Sequence, residues 1–172
     1  KKILARKKGY HGVTVASASM TGLANQHKLF DLPQENFIHT ETPHYFKEGK
    51  EGETEEDYVN RLTTALEDLI LKEGPESIAA MIAEPLMGAG GVILPPKGYF
   101  PAIQSILDQY NIPLIVDEVV TAFGRTGNPF GSETYNIEPT SMTIAKALSS
   151  GYIPISAVIV NDELFEPIKE AS

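Results

Sequence analysis

Ile78-Ala79-Ala80-Met81-Ile82-Ala83-Glu84, Pro113-Leu114-Ile115-Val116-Asp117 and Met142-Thr143-Ile144-Ala145-Lys146 are three apolar runs that each stop on an ionisable residue. A short, continuous apolar run bounded by polar residues reads as a strand buried on both faces, the pattern of parallel sheets. Ligands of open α/β sheets bind beyond the carboxyl ends of the strands. Two carboxylates and a lysine are therefore expected on one rim.

The segments between these runs read as helices. Thr54 can cap a helix whose first turn, Glu55-Glu56-Asp57, suits the positive end of the helix dipole. Tyr58, Leu62, Ala65, Leu66, Leu69 and Ile70 follow at helical spacing, and Gly74-Pro75 ends the pattern. After a Gly/Pro loop, Gly88 to Gly98, a second stripe carries Phe100, Ile103, Ile106, Leu107 and Tyr110. This β-α-β-α-β alternation implies parallel strands joined by right-handed crossovers. Only Ala147 to Pro154 separates Lys146 from the last apolar run, Ile155 to Val160. That is too short for a helical crossover, so the last strand is expected to be antiparallel.

Upstream, Ile3-Leu4-Ala5 reads as a strand, Gly9-Tyr10-His11-Gly12 as the turn after it, and Thr14 to Met20 as a short helix. Residues 25–53 read as a long surface excursion with a strand at Asn36-Phe37-Ile38. The expected fold class is α/β: a mostly parallel sheet with helices on both faces and one antiparallel strand. The chain starts Lys1-Lys2-Ile3 without Met and stops in the helix-like stretch Asp162 to Ser172, which reads as a central piece of a longer protein.

A hydrophobic content of 42% excludes a disordered acidic chain, and a net charge of −9 argues against a nucleic-acid partner. No apolar stretch has the length of a membrane span. The absence of cysteine leaves no disulfide framework and no thiolate metal site, and a reducing, cytoplasmic compartment is expected. His11, His27, His39 and His44 lack ligand spacing, so no metal is expected.

Each candidate group has a bland and a chemical reading. Lys146 is a surface amine, or a lysine whose apolar neighbours Ala145, Ala147 and Leu148 keep it neutral enough to form a Schiff base with a carbonyl. Asp117 caps a helix or pairs with Arg125, or it faces a protonated ring nitrogen, the partner that pyridoxal phosphate needs. Val119, two residues on, points the same way in an extended segment and can pack on such a ring. Tyr10-His11-Gly12 is a structural turn, or an aromatic cover for a flat cofactor with Gly12 allowing close backbone approach. Glu84, before Pro85, holds its loop or serves the cofactor site. Arg125, in Phe123-Gly124-Arg125-Thr126-Gly127, reads as a structural anchor.

Taken in order, Tyr10-His11-Gly12, Ala83-Glu84-Pro85-Leu86-Met87-Gly88-Ala89-Gly90-Gly91, Val116-Asp117-Glu118-Val119 with the Phe123 to Gly127 loop, and Ala145-Lys146-Ala147-Leu148 resemble the class III aminotransferases of the fold-type I pyridoxal-phosphate enzymes. The resemblance covers almost the whole chain and implies part of the large, cofactor-binding domain. It implies that Lys146 links covalently to the cofactor and then shuttles a proton, and that Asp117 pairs with the pyridine nitrogen. It implies that Tyr10 and Val119 cover the two ring faces, and that His11 and Glu84 support the ring and its aspartate.

One position departs from the ornithine and γ-aminobutyrate pattern, and another from the family at large. Ala89 stands where those members carry Glu, and Val120 where many carry Gln. Both departures resemble the amine:pyruvate or ω-amino acid:pyruvate subgroup. The implied partners are an amine donor and an oxo-acid acceptor, with a homodimer as the assembly. A class III aminomutase or decarboxylating enzyme shares the same lysine and aspartate, and a non-catalytic α/β binding module is the alternative of another class. The resemblance places the phosphate-binding loop before Lys1, and a partner-subunit threonine and a substrate arginine after Ser172. Purified residues 1–172 are therefore expected to bind pyridoxal phosphate weakly and to show no turnover. Measurable transamination by that segment alone would contradict this.

Overall fold

Six apolar stretches pair into one sheet in the computed structural model, which describes residues 1–171. In chain order the elements are β1 (Lys2–Arg6), α1 (Val15–Met20), β2 (Phe37–Thr40), α2 (Tyr45–Glu48), α3 (Glu55–Glu73), β3 (Ile78–Ala83), α4 (Tyr99–Gln109), β4 (Leu114–Asp117), α5 (Gly131–Tyr135), β5 (Ser141–Ile144), β6 (Ala157–Val160) and α6 (Asp162–Glu170). Ser172, the last residue of the expected terminal helix, lies outside the described residues.

The strand order is β2-β1-β3-β4-β5-β6. Every pair is parallel except β5 with β6, where Ser141 faces Val160 and Ile144 faces Ala157. The chain moves from β1 outward to β2, then returns to place β3 on the other side of β1. The strand order therefore reverses between β1 and β3, the kind of position where open α/β sheets form a crevice.

The core forms where helical stripes meet the pleat. Tyr58, Leu62, Leu66 and Ile70 of α3 and Phe100, Ile103 and Leu107 of α4 pack with Leu4, Met81, Leu114 and Val116. Burying each such aliphatic side chain is worth roughly 1.5–3 kcal/mol. Ala80 and Ile82 alternate with Met81 and Ala83 along β3 and are buried too. Both faces of the central strand are thus covered, as its unbroken apolar run requires. Thr54 caps α3 as expected: its hydroxyl accepts from Asp57 N at 3.1 Å, and the Asp57 carboxylate accepts in return from Thr54 N at 3.2 Å.

The excursion over residues 25–53 holds more structure than its weak periodicity shows. Besides β2 it carries the single-turn helix α2, too short to display a helical period. The Tyr58 hydroxyl ties this stretch to α3, accepting from His44 N at 3.1 Å and donating to Thr42 O at 2.6 Å. The last strand is shorter than its apolar run, because Ile155 and Ser156 precede the pairing with β5.

Two imidazoles hold the carboxyl end of α1. His39 Nε2 donates to Met20 O at 3.0 Å, and His27 Nε2 lies 2.7 Å from Thr21 O. Burial, more than any other influence, lowers the His39 pKa below its ordinary 6.5. The unfolded chain then takes up the His39 proton at a higher pH than the folded chain does. Stability is therefore full above pH 6.5 and falls as the pH drops from there toward the folded pKa. Urea midpoints measured on either side of pH 6.5 are expected to show this fall, and His39→Gln is expected to flatten it.

Candidate active site

Four parallel strands, β1, β3, β4 and β5, end on the same edge of the sheet, and a cavity of about 460 Å³ opens there. Its walls include Tyr10 and His11 from the turn after β1, Glu84 and Gly88 from the loop after β3, Asp117, Val119 and Val120 from β4 and its exit, and Lys146 after β5. Every residue singled out for cofactor chemistry, Tyr10, His11, Glu84, Asp117, Val119 and Lys146, lines this one cavity.

Asp117 is buried at the end of β4. One carboxylate oxygen is 2.9 Å from His11 Nδ1 and the other accepts from Val119 N at 3.1 Å. A carboxylate only accepts, so the His11 proton on this bond sits on Nδ1. The alternative pairing of Asp117 with Arg125 does not occur. Arg125 is exposed in the loop after β4 and, among the described residues, makes no side-chain hydrogen bond or ion pair. Its expected role as a structural anchor is thus corrected. Positive φ at Phe123, Gly124 and Gly127, with Phe123 N donating to Pro129 O at 2.6 Å, shapes this loop through its backbone instead.

Glu84 is buried and spends both oxygens on backbone, accepting from Tyr10 N and Gly88 N, each at 3.0 Å. It thereby ties together the two loops that carry Tyr10 and Gly88. Met87 and Ile93 exchange both backbone hydrogen bonds and turn the second loop into a small hairpin. Its tip packs so closely on the turn after β1 that a Cβ at Gly90 would lie 2.5 Å from Lys8 O, so only glycine fits. Gly12, with φ of +124°, turns the chain from the cavity wall into the capping box of α1.

Lys146 departs from its expected setting. The apolar neighbours in sequence do not enclose it: the residue is exposed at the cavity rim. The chain enters a 3₁₀ turn over Lys146–Leu148 at this point. Lys146 has φ of 42°, a left-handed conformation uncommon for a residue with a side chain. Among the described residues its amine has no hydrogen-bond or ion-pair partner.

Two residues escaped sequence reading. Arg6, the last residue of β1, is buried, donates from Nη2 to Glu84 O, and lies 5.6 Å from the Phe100 ring centroid. Glu118 is fully buried and accepts from Thr121 Oγ1, Gly131 N, Ser132 N and Ser132 Oγ. Little local marked either, since Arg6 bonds to Glu84 and three of the four Glu118 donors come from Gly131 and Ser132 on α5.

The family model for aminotransferase class-III matches residues 1–172. Gamma-aminobutyrate transaminase 1, mitochondrial, of Oryza sativa subsp. indica is 55% identical over the whole chain, which covers 33% of that protein. Gamma aminobutyrate transaminase 1, mitochondrial, of Solanum lycopersicum is 56% identical over the same span and is covered to 33%. The chain thus spans about a third of the length of these curated relatives. The omega transaminase of Pseudomonas jessenii, solved in complex with PMP, superposes with a TM-score of 0.98 at 51% identity, over 99% of this chain and 38% of that one. A transaminase solved with L-ala gives 0.97 at 54% identity, over 98% of this chain and 39% of that one. Full-length agreement with the family model, backed by relatives more than half identical on a shared sheet, means that the chain belongs to the class III aminotransferases.

Proposed function

We propose that this chain is the cofactor-binding part of a pyridoxal-phosphate aminotransferase that moves an amino group from an amine or ω-amino acid to pyruvate or another oxo acid. One observation carries the reading: a lysine amine with no partner among the described residues, a buried carboxylate and an aromatic ring from three separate strand ends line one cavity. The donor set fits the ring of pyridoxal phosphate. Tyr10 and Val119 supply flat and apolar surface, Asp117 an anion for a protonated ring nitrogen, and Lys146 the amine for the aldehyde. Among the described residues Lys146 is the only lysine or arginine in the lining, so the ring rather than the phosphate is what these residues suit. The P. jessenii relative solved with PMP, the aminated form of that cofactor, supports the same group here.

Bound pyridoxal phosphate supplies an electron sink for charge released when the substrate carbon loses its proton. The chain's own residues perform the rest. Lys146 Nζ would be the amine that holds the aldehyde and, when free of it, the base that carries the proton from the substrate carbon to the cofactor carbon. Its exposure at the rim, with no hydrogen-bond or ion-pair partner among the described residues, suits both tasks. Asp117 stays in place because His11 and Val119 N hold its two oxygens. Glu84 keeps the Tyr10 and Gly88 loops at a set separation.

The relatives' names support the substrate class. γ-Aminobutyrate is an ω-amino acid, and L-alanine is what pyruvate becomes on accepting an amino group. Ala89, expected to be Glu in γ-aminobutyrate members, and Val120, expected to be Gln in many members of the family, both line the cavity, so γ-aminobutyrate and simple amines are the donors to compare. Family likeness supports a homodimer.

Borohydride reduction of the full-length protein with pyridoxal phosphate, followed by peptide mass mapping, is expected to place a reduced adduct on the Lys146 peptide. An unmodified Lys146 in folded, cofactor-loaded protein would remove the mechanism. Lys146→Ala is expected to lower alanine formation from pyruvate by roughly 10²–10⁴-fold, the span of a positioned proton transfer. Asp117→Asn is expected to lower kcat by roughly 10²–10³-fold, as for loss of a preorganised electrostatic partner, with the Lys146 adduct still formed. A near-normal kcat in that variant would assign ring protonation to another group.

A further inference from the structure

Asp117 and Val119 flank a residue that faces away from the cavity, and that residue is held more tightly than either. Glu118 N donates to Thr143 O on β5 at 2.9 Å, and Glu118 O accepts from Ala122 N at 3.0 Å. Its carboxylate has no solvent exposure. Oε1 accepts from Ser132 N at 2.6 Å and Ser132 Oγ at 2.7 Å. Oε2 accepts from Thr121 Oγ1 at 2.5 Å and Gly131 N at 2.9 Å. Two donors on each oxygen saturate an ionised carboxylate, which is purely an acceptor. Gly131 cannot be replaced without disturbing this junction, because a Cβ there would lie 2.8 Å from Thr121 Cβ and 2.9 Å from Pro85 Cβ. The start of α5, the exit of β4 and the Pro85 turn after Glu84 therefore meet at one point behind the cavity.

We propose that Glu118 is a positioning residue: by locking the exit of β4 to Gly131 and Ser132, its carboxylate sets where the Asp117 carboxylate and the Val119 side chain stand against the flat cofactor. The proposal rests on the aminotransferase reading. Peptide geometry makes the link direct. Asp117 and Val119 are its two neighbours in the chain, and Val119 N is itself the donor to Asp117 Oδ1. Turning residue 118 turns both at once. A glutamine of the same shape cannot take its place. Its NH₂ group would face a backbone N–H in either orientation, Gly131 N or Ser132 N, and that donor cannot rotate away.

The test is a double-mutant cycle on the full-length protein with Glu118→Gln, Asp117→Asn and the pair. The readouts are the dissociation constant of pyridoxal phosphate, the pH at which the bound cofactor's visible band titrates, and the melting temperature of the cofactor-free protein. Glu118→Gln alone is expected to weaken the cofactor about tenfold and to shift the titration of its band, a coupling typical of contacting residues. In the Asp117→Asn background it is expected to add at most about a twofold further loss. Losses that multiply, or a lowered melting temperature with unchanged cofactor affinity and band titration, would overturn the proposal and leave Glu118 a role in packing alone. Should Glu118→Gln fail to fold, Ser132→Ala and Thr121→Val each remove one side-chain donor. A band titration unmoved in both would also overturn it. Wild-type protein lacking any cofactor band or Lys146 adduct would instead count against the aminotransferase reading itself.

Discussion

Parallel pairing of β1, β3, β4 and β5 is the constraint on which the rest of the molecule depends. In a parallel sheet every strand runs toward the same edge, and every return path must cross a face. Side chains at the ends of four strands, far apart in sequence, are thereby delivered to one rim. His11 and Asp117 are 106 residues apart in the chain and 2.9 Å apart in space. The crossovers α3 and α4 supply the apolar stripes that bury one face of the sheet, so the same connections that force parallel order also build the core.

Carboxylates do the local fastening on that rim. Glu84 joins the loop after β1 to the loop after β3 through two backbone N–H groups, and Glu118 joins the exit of β4 to α5 through three donors of Gly131 and Ser132. Loops carry backbone groups that no ladder satisfies, and a buried carboxylate with two acceptor oxygens can satisfy several at once. Removing one such acceptor leaves buried donors unpaired, at a cost of about 1–3 kcal/mol for each group. Arg6 belongs to the same scheme from the other side, since its guanidinium takes up the Glu84 carbonyl while resting near aromatic rings. The cavity is thus shaped mainly by polar contacts to backbone, in which Glu84 spends both its oxygens.

Where local reading and structure differ, the reason is the range of the deciding contacts. Lys146 has apolar neighbours in sequence, yet the chain enters a 3₁₀ turn there and leaves the residue exposed. Arg125 sits in a loop with an anchoring composition, but backbone bonds and positive φ shape that loop, and its side chain projects outward. The short helix α2 was hidden because a single turn has no period to detect.

By itself the sequence determined that the three apolar runs are strands, that amphipathic helices separate them, and that the final strand turns back. It also determined which ionisable groups stand at the strand ends. These features are local: run length, spacing and capping residues act within a few positions. Only the tertiary structure decided the strand order, with its reversal between β1 and β3, the His11 partner of Asp117, the exposed state of Lys146, and the fastening roles of Arg6, Glu84 and Glu118. Each of these is set by which apolar surfaces bury one another and which buried donors then need an acceptor, and both are properties of the packed chain as a whole.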